Sequence, residues 1–430
     1  TLHSSPMRLP LRYVAGSFLA RFAEEGMGVT MALLAVQRTG SVGHAAALSA
    51  AWLAPHVVAA PFIGTLASRA RHPSRYYAFG LVVVAVGIAA STLLLGRVPL
   101  IVVCAIAAAG GCFGPVVSGG LSSLVAELLP EGHRDRAYSW DSATYNAAAI
   151  AGTAVAAAIA ATLGGEWSGW MLAAAAVIAA VLIALLPIAG STELSVHEAV
   201  SVGRLSKGEA GPGGRSAEPS EGAATAPGLL SDLLTGVKAL WQQRTLRAVT
   251  AATCLAYLGI GGLTITAVTA GRQWGGGEFG GVLVAVFAAG ALTGALALTK
   301  WTPRISPQRL AAYSLLVTGV SLGLAAIAPN FGVGLVLFAI AGAGDGPLLS
   351  ATLRVRAAHA PAGVRAQVFT TGAALKLSAA AVGAALAGVM ETLPAGVPLV
   401  LIAVTQLAAC AVVWLLAPAS DRAMVANPAG

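Results

Sequence analysis

Charge is scarce in this chain. Only 10% of its 430 residues are Asp, Glu, Lys or Arg, 57% are hydrophobic, and the mean hydropathy is +0.81. That balance excludes an ordinary soluble core and assigns the chain to a bilayer. Cysteine is nearly as rare: Cys104, Cys112, Cys254 and Cys410 all fall in apolar segments, where a thiol behaves as a small hydrophobe. Neither a disulfide framework nor a metal site is expected. The net charge of +8 does not suggest nucleic acid, because the bases are scattered and form no stripe beside aromatic residues. Catalytic patterns are missing too. The seven His are dispersed, and no H-E-x-x-H, G-x-S-x-G or two-Cys metal spacing occurs, so an enzyme is a remote reading and no cofactor is expected. Without G-x-x-x-x-G-K-[ST] the chain should not hydrolyse ATP. The glycine-rich run Gly342 to Pro347 lies inside an apolar span and opens no strand-to-helix turn.

What is present is a repeat. Leu11-Arg12 with Leu19-Ala20 recurs as Leu246-Arg247 with Leu255-Ala256, and Gly114-Pro115 with Ser118 recurs as Gly346-Pro347 with Ser350. Both copies sit in long apolar segments at a nearly constant offset. Duplicated membrane helices are a common plan for secondary transporters, in which the substrate site lies between halves that rock about it. With about 20 apolar residues needed per crossing, twelve spans are expected. The first six lie near 13–36, 43–67, 76–96, 99–125, 138–163 and 168–188. The second six lie near 247–270, 280–299, 309–328, 331–353, 366–390 and 396–417. The first is read as a retained helix, since it is too long for a cleavable signal and carries Arg21, Glu24 and Glu25. This gives a domain plan of residues 1–189, a linker 190–245, and residues 246–430.

Orientation follows the cations. Arg38, Arg97 and Arg272 fall on one side, Arg21 and Lys376 fall inside spans, and the rest of the 25 Lys and Arg fall on the other side with both termini and the linker. That side is expected to be cytoplasmic. Residues 190–227, rich in Gly, Ser, Glu, Ala and Pro, read as a tether. Near 229–243, Leu229, Leu230, Leu233, Leu234, Val237, Leu240 and Trp241 recur at helical spacing, which predicts an amphipathic helix at the membrane surface.

The turn after the second span, Gly64-Thr-Leu-Ala-Ser68-Arg69-Ala-Arg71, resembles the G-x-x-x-D-R-x-G-R signature of the major facilitator superfamily. A degenerate echo runs from Gly294 through Lys300 to Arg304. The resemblance covers nearly the whole chain and implies an all-α membrane protein of twelve helices in two pseudo-symmetric six-helix bundles. It also implies a latch at the cytoplasmic ends, made by Gly64, Arg69 and Arg71 with acids such as Glu127, Asp135 or Asp141. Cations at that helix end suit its dipole and pin it to the cytoplasm. Two departures stand out: Ser68 occupies the position of the signature Asp, and Gly152-Thr153 occurs where antiporters of the family carry Gly-Pro. The overall flavour is that of the bacterial twelve-helix efflux branch.

Ionisable groups inside a bilayer are costly unless they face water or a partner, which makes each a functional candidate. Ser17, Phe18, Arg21, Glu24, Glu25 and Gly28 share one stripe of the first span, where Arg21 can form an i,i+3 or i,i+4 pair with Glu24 or Glu25 or else serve binding or coupling. Asp345 in the tenth span and Lys376 in the eleventh either neutralise one another or face the cavity separately. These five are the candidates for proton coupling or substrate binding. His56, Trp52, Phe113, Tyr145, Asn146, Tyr257 and Phe287 are weaker cavity candidates. The copies differ at these places: Arg21 aligns with Ala256, Glu24 with Gly259, Glu25 with Ile260, Asp345 with Phe113 and, after a two-residue gap, Lys376 with Tyr145. The expected function is alternating-access export of a small, partly apolar organic compound in exchange for protons, from a bacterial inner membrane and as a monomer. The alternative is an importer or facilitator of a metabolite such as a sugar.

Overall fold

The computed structural model describes residues 9–187, 229–274, 279–301, 305–390 and 392–416, which are helical and contain no strand. The proposed tether at 190–227 and the chain ends lie outside the described residues. Among the described residues, ten helical segments are long and apolar enough to cross a membrane.

The first half contains α1 (Leu11–Thr39), α2 (Val42–Leu53), α3 (Pro55–Arg69), α4 (Pro73–Leu94), α5 (Leu100–Gly111), α6 (Leu121–Ser123), α7 (Val125–Leu128), α8 (Glu131–Thr162) and α9 (Gly165–Ala184). Residues α2 and α3 run on as one rod with a joint at Ala54-Pro55, where the proline ring lacks the N–H that an unbroken helix would use. Between α5 and α6 the chain makes a π-helical turn, Val116–Gly120, just after Gly114-Pro115. Such turns commonly mark functional positions. At the end of α1, Gly40 takes the left-handed conformation (φ 65°) and its N–H caps the carbonyl of Val36.

The second half begins with α10 (Leu229–Gln242), followed by α11 (Arg244–Ile260), α12 (Leu263–Trp274), α13 (Phe279–Lys300), α14 (Pro307–Ala325), α15 (Phe331–His359), α16 (Arg365–Val389) and α17 (Gly396–Leu416). Side-chain caps start two of these helices: Ser306 accepts from the Arg309 N–H, and Asn330 from that of Val333. In α10, Leu240 is buried against Leu246, Ala360, Val364 and Val368, whereas Leu234, Val237 and Trp241 are exposed. One face therefore docks on the second half and the other is left apolar at the surface.

Within the first half α1 packs along α8 and α9, and α4 packs on α9; within the second, α15 packs along α13 and α14, and α17 on α14 and α11. The principal contacts between halves join α3 to α16, α8 to α13, and α8 to α15. The approach of α3 to α16 includes the start of α16, at the basic end. A Cβ on Gly64 would come within 2.3 Å of the Gln367 Cα, and one on Gly119 within 2.6 Å of the Phe369 carbonyl oxygen. Only glycine allows such approach. Around these points Tyr138 stacks on Phe369 with centroids 6.2 Å apart. Thr370 donates to the Ala60 carbonyl at 2.8 Å, Ser142 to that of Gly346 at 3.2 Å, and Arg354 to Ser139 at 2.6 Å.

Candidate functional site

Arg21 is 1% exposed at the middle of α1, and its guanidinium turns toward α8. It forms an ion pair with Asp141 at 2.9 Å. It also donates to the Asp141 carbonyl at 3.0 Å, to Ser122 at 3.1 Å and to Thr144. Asp141 in turn accepts from Tyr13 at 2.7 Å and Ser122 at 2.6 Å. This arrangement corrects two expectations. Arg21 does not pair with Glu24 or Glu25 on its own helix, because its side chain reaches across to a carboxylate whose remaining lone pairs are already satisfied. Asp141 serves that buried cluster rather than the cations of the turn near Arg69. Such satisfaction is what allows a charge pair to persist in an apolar interior.

The other two acids of α1 part company. The Glu24 carboxylate meets His56 Nε2 at 3.2 Å, while His56 Nδ1 meets the Trp52 carbonyl at 3.1 Å. A carbonyl only accepts, so Nδ1 carries a hydrogen, and the contact with Glu24 then needs a second proton on Nε2 or on the carboxyl. Gly114 makes room for this imidazole, since a Cβ there would overlap its ring. Glu25 is exposed and has no ion-pair partner within 4.0 Å among the described residues.

Between the halves lies a cavity of about 240 Å³, lined by Glu24, Glu25, Gly28, Ser49, Trp52, Ser118, Tyr145 and Lys376 with the apolar Met27, Leu53 and Leu377. Lys376 enters it from α16, its ammonium 4.4 Å from the Tyr257 ring centroid and 5.8 Å from that of Tyr145. Tyr145 carries the Arg21 guanidinium at 3.8 Å from its centroid. Its hydroxyl is fixed by donation to the Val117 carbonyl at 3.3 Å and to that of Ser118, both in the π-helical turn. Cations over such rings are attracted by the ring's electron-rich face.

Asp345 and Lys376 form no ion pair within 4.0 Å, and the Asp345 Oδ1 is buried without a hydrogen-bond partner. Arg356, counted by sequence with the basic loops, is instead 3% exposed in α15 with Nε and Nη2 unpartnered. It fits against Gly372, where a Cβ would meet the guanidinium at 2.6 Å. Arg354 is also buried and faces Asp135 of the other half at 3.8 Å.

The weaker candidates divide. Tyr145 and Trp52 line the cavity, Tyr257 supports Lys376, and His56 holds Glu24. Phe113 packs edge-on against Phe79 at 5.7 Å, Phe287 belongs to the core of the second half, and Asn146 donates back to the Ser142 carbonyl at 3.1 Å. Arg69, Arg71 and Glu127 are exposed at the basic end. Sequence reasoning missed Ser49 as a wall residue and Tyr13, Ser122 and Thr144 as partners of the Arg21 cluster. Small hydroxyl residues carry no distinguishing signal in an apolar helix.

A family model described as Major Facilitator Superfamily matches residues 13–251. Among solved structures, the chain is similar to the proton:xylose symporter XylE bound to 6-bromo-6-deoxy-D-glucose, at 13% identity, 95% of each chain covered and a TM-score of 0.67. It is also similar to a bacterial homologue of the iron transporter ferroportin in an outward-facing state, at 13% identity, 95% and 99% coverage and a TM-score of 0.72. The E. coli fucose:proton symporter FucP matches at 14% identity, 95% and 98% coverage and a TM-score of 0.64. No curated protein sequence matches the chain. Identities this low establish a shared fold.

Proposed function

This chain belongs to the major facilitator superfamily, and we propose that, as a transporter of the secondary kind, it exports a small organic compound in exchange for protons by alternating access. The ten apolar helices fit that plan, and in the twelve-span arrangement we propose α1 and α14 are the remaining two. The cation bias argues for cytoplasmic termini in a bacterial inner membrane. On that orientation, the contacts of Gly64, Gly119 and Arg354 close the cytoplasmic end and the cavity serves the outer side. The latch of Gly64, Arg69 and Arg71 with Glu127 belongs to the same closed end. The observation that carries the reading is the cavity itself: charged walls from both halves, Glu25 and Lys376, stand unpaired across it.

For proton coupling, the candidate group is the Asp345 carboxyl, whose Oδ1 is buried within the bilayer without a hydrogen-bond partner. A second reading is proton symport of a small metabolite, favoured by Ser68 and by Gly152-Thr153, which depart from the antiporter pattern. The XylE and FucP structures are proton symporters by description. Inverted vesicles carrying the full chain separate the readings. Substrate accumulation driven by an inside-acid gradient supports antiport, accumulation driven by an outside-acid gradient supports symport, and coupling through Asp345 fails if Asp345→Asn transports with an unchanged pH response.

A further inference from the structure

The charges near the cavity cancel in pairs, with one exception on each wall. Arg21 is taken by Asp141 at 2.9 Å and Glu24 by His56 at 3.2 Å. What remains facing the space is Glu25 from α1 and Lys376 from α16. Neither has an ion-pair partner within 4.0 Å among the described residues. Elsewhere on the second half, Asp345 Oδ1 and Arg356 Nε and Nη2 are buried without hydrogen-bond partners, and these two residues are opposite in sign. The unsatisfied charge around the cavity therefore sums to zero while being separated in space, acid on the first half and base on the second.

That distribution selects a ligand by electrostatics. A net cation satisfies Glu25 but adds repulsion at Lys376, and a net anion does the reverse; each leaves one uncompensated charge where desolvation is expensive. A ligand with both charges leaves none. We propose, resting on the transporter reading, that the cavity takes a net-neutral zwitterion whose amine or other cationic end meets Glu25 and whose carboxylate or other anionic end meets Lys376. Trp52, Tyr145 and Met27 line the same cavity and suit an apolar or aromatic body. Because the two charged walls belong to different halves, a zwitterion long enough to touch both ties the halves together as no singly charged compound does.

The test uses the purified full chain in detergent micelles and three matched sets of probes: phenylalanine, γ-aminobutyrate and ε-aminocaproate, each with its methyl ester and its N-acetyl derivative. Binding is read by thermal stabilisation across a concentration series. The expected result is that at least one zwitterion binds about tenfold or more tightly than its ester and its N-acetyl derivative, about 1.4 kcal/mol or more. Glu25→Gln and Lys376→Gln should each abolish that preference, with Glu25→Asp and Lys376→Arg restoring part of it. Unliganded melting temperatures establish that the variants fold. The proposal is overturned if no zwitterion of the panel outbinds both its ester and its N-acetyl derivative by that margin, if no member of the panel binds, or if the two Gln variants retain the preference. Cysteine accessibility at the two ends of α3 and α16, on a background lacking the native cysteines, tests alternating access separately. A chain that alternates but ignores zwitterions sinks this inference and leaves the transporter reading intact.

Discussion

Arg21 and Asp141 meet at 2.9 Å with 1% and 0% of their side chains exposed, and this contact binds α1 to α8 across the interior of the first half. Tyr13, Ser122 and Thr144 add hydrogen bonds around it, while the Arg21 Nε is left without one. The cluster borders the cavity at the Tyr145 ring, over which the Arg21 guanidinium lies.

Removing one partner of that ion pair leaves a buried charge alone. Asp141→Ala should destabilise the protein by about 3–5 kcal/mol, and Arg21→Met by a similar amount, whereas the double change Arg21→Met with Asp141→Leu should recover most of the loss. Thermal unfolding in detergent reads all three. Additive losses in the double variant would show that the two side chains act separately.

Gly64→Ala acts on conformation. Its Cβ would sit 2.3 Å from both the Gln367 Cα and the Thr370 Oγ1, so the ends of α3 and α16 must separate. Overpacking of this kind costs about 1–3 kcal/mol, enough to shift a two-state balance by roughly 5- to 150-fold. Spin labels near the basic ends of these helices should report a longer distance, with a shorter one at the opposite end. A lower melting temperature with unchanged distances would mean local damage only.

The fold was legible because apolar length and the paired motifs at Gly114-Pro115 and Gly346-Pro347 reflect one repeated unit. The site was legible in its polar members: Glu24, Glu25, Tyr145 and Lys376 stand out in apolar helices. Their partners did not. Asp141 lies near the start of a span, where the family resemblance suggested a partner for the latch cations, and only three-dimensional packing brings α8 against Arg21. Arg356 misled for the same reason, since a cation close to a helix end reads as solvated until Gly372 is seen to receive it. The broken symmetry of the repeat was informative at one point. Lys376 and Tyr145, aligned across the copies, face the same cavity from opposite halves.

His56 should depend on its hydrogen-bonding role. With Nδ1 engaged at Trp52, the contact with Glu24 requires a shared proton, and His56→Leu leaves the carboxylate with neither donor nor acceptor. A loss of about 1–3 kcal/mol is expected. His56→Gln presents an amide N–H in its place and should lose less. Equal melting temperatures for the two variants would show that the imidazole only fills the space beside Gly114.

Tyr145 has two separable jobs. Its hydroxyl donates to carbonyls of the π-helical turn at Val117 and Ser118, while its ring receives Arg21 on one side and faces Lys376 at 5.8 Å. Tyr145→Phe removes the first and keeps the second, so it should loosen the turn while preserving the electrostatic setting of Lys376. Tyr145→Leu removes both, and loss of the ring's attraction for two poorly solvated cations costs about 0.5–2 kcal/mol for each. Transport assays should then show Tyr145→Phe retaining most substrate affinity and Tyr145→Leu losing it, with Tyr257→Leu weakening affinity as well because Lys376 rests on that ring at 4.4 Å. If Phe and Leu at position 145 behave alike, the ring is a spacer, and the Lys376 ammonium is positioned by α16 alone.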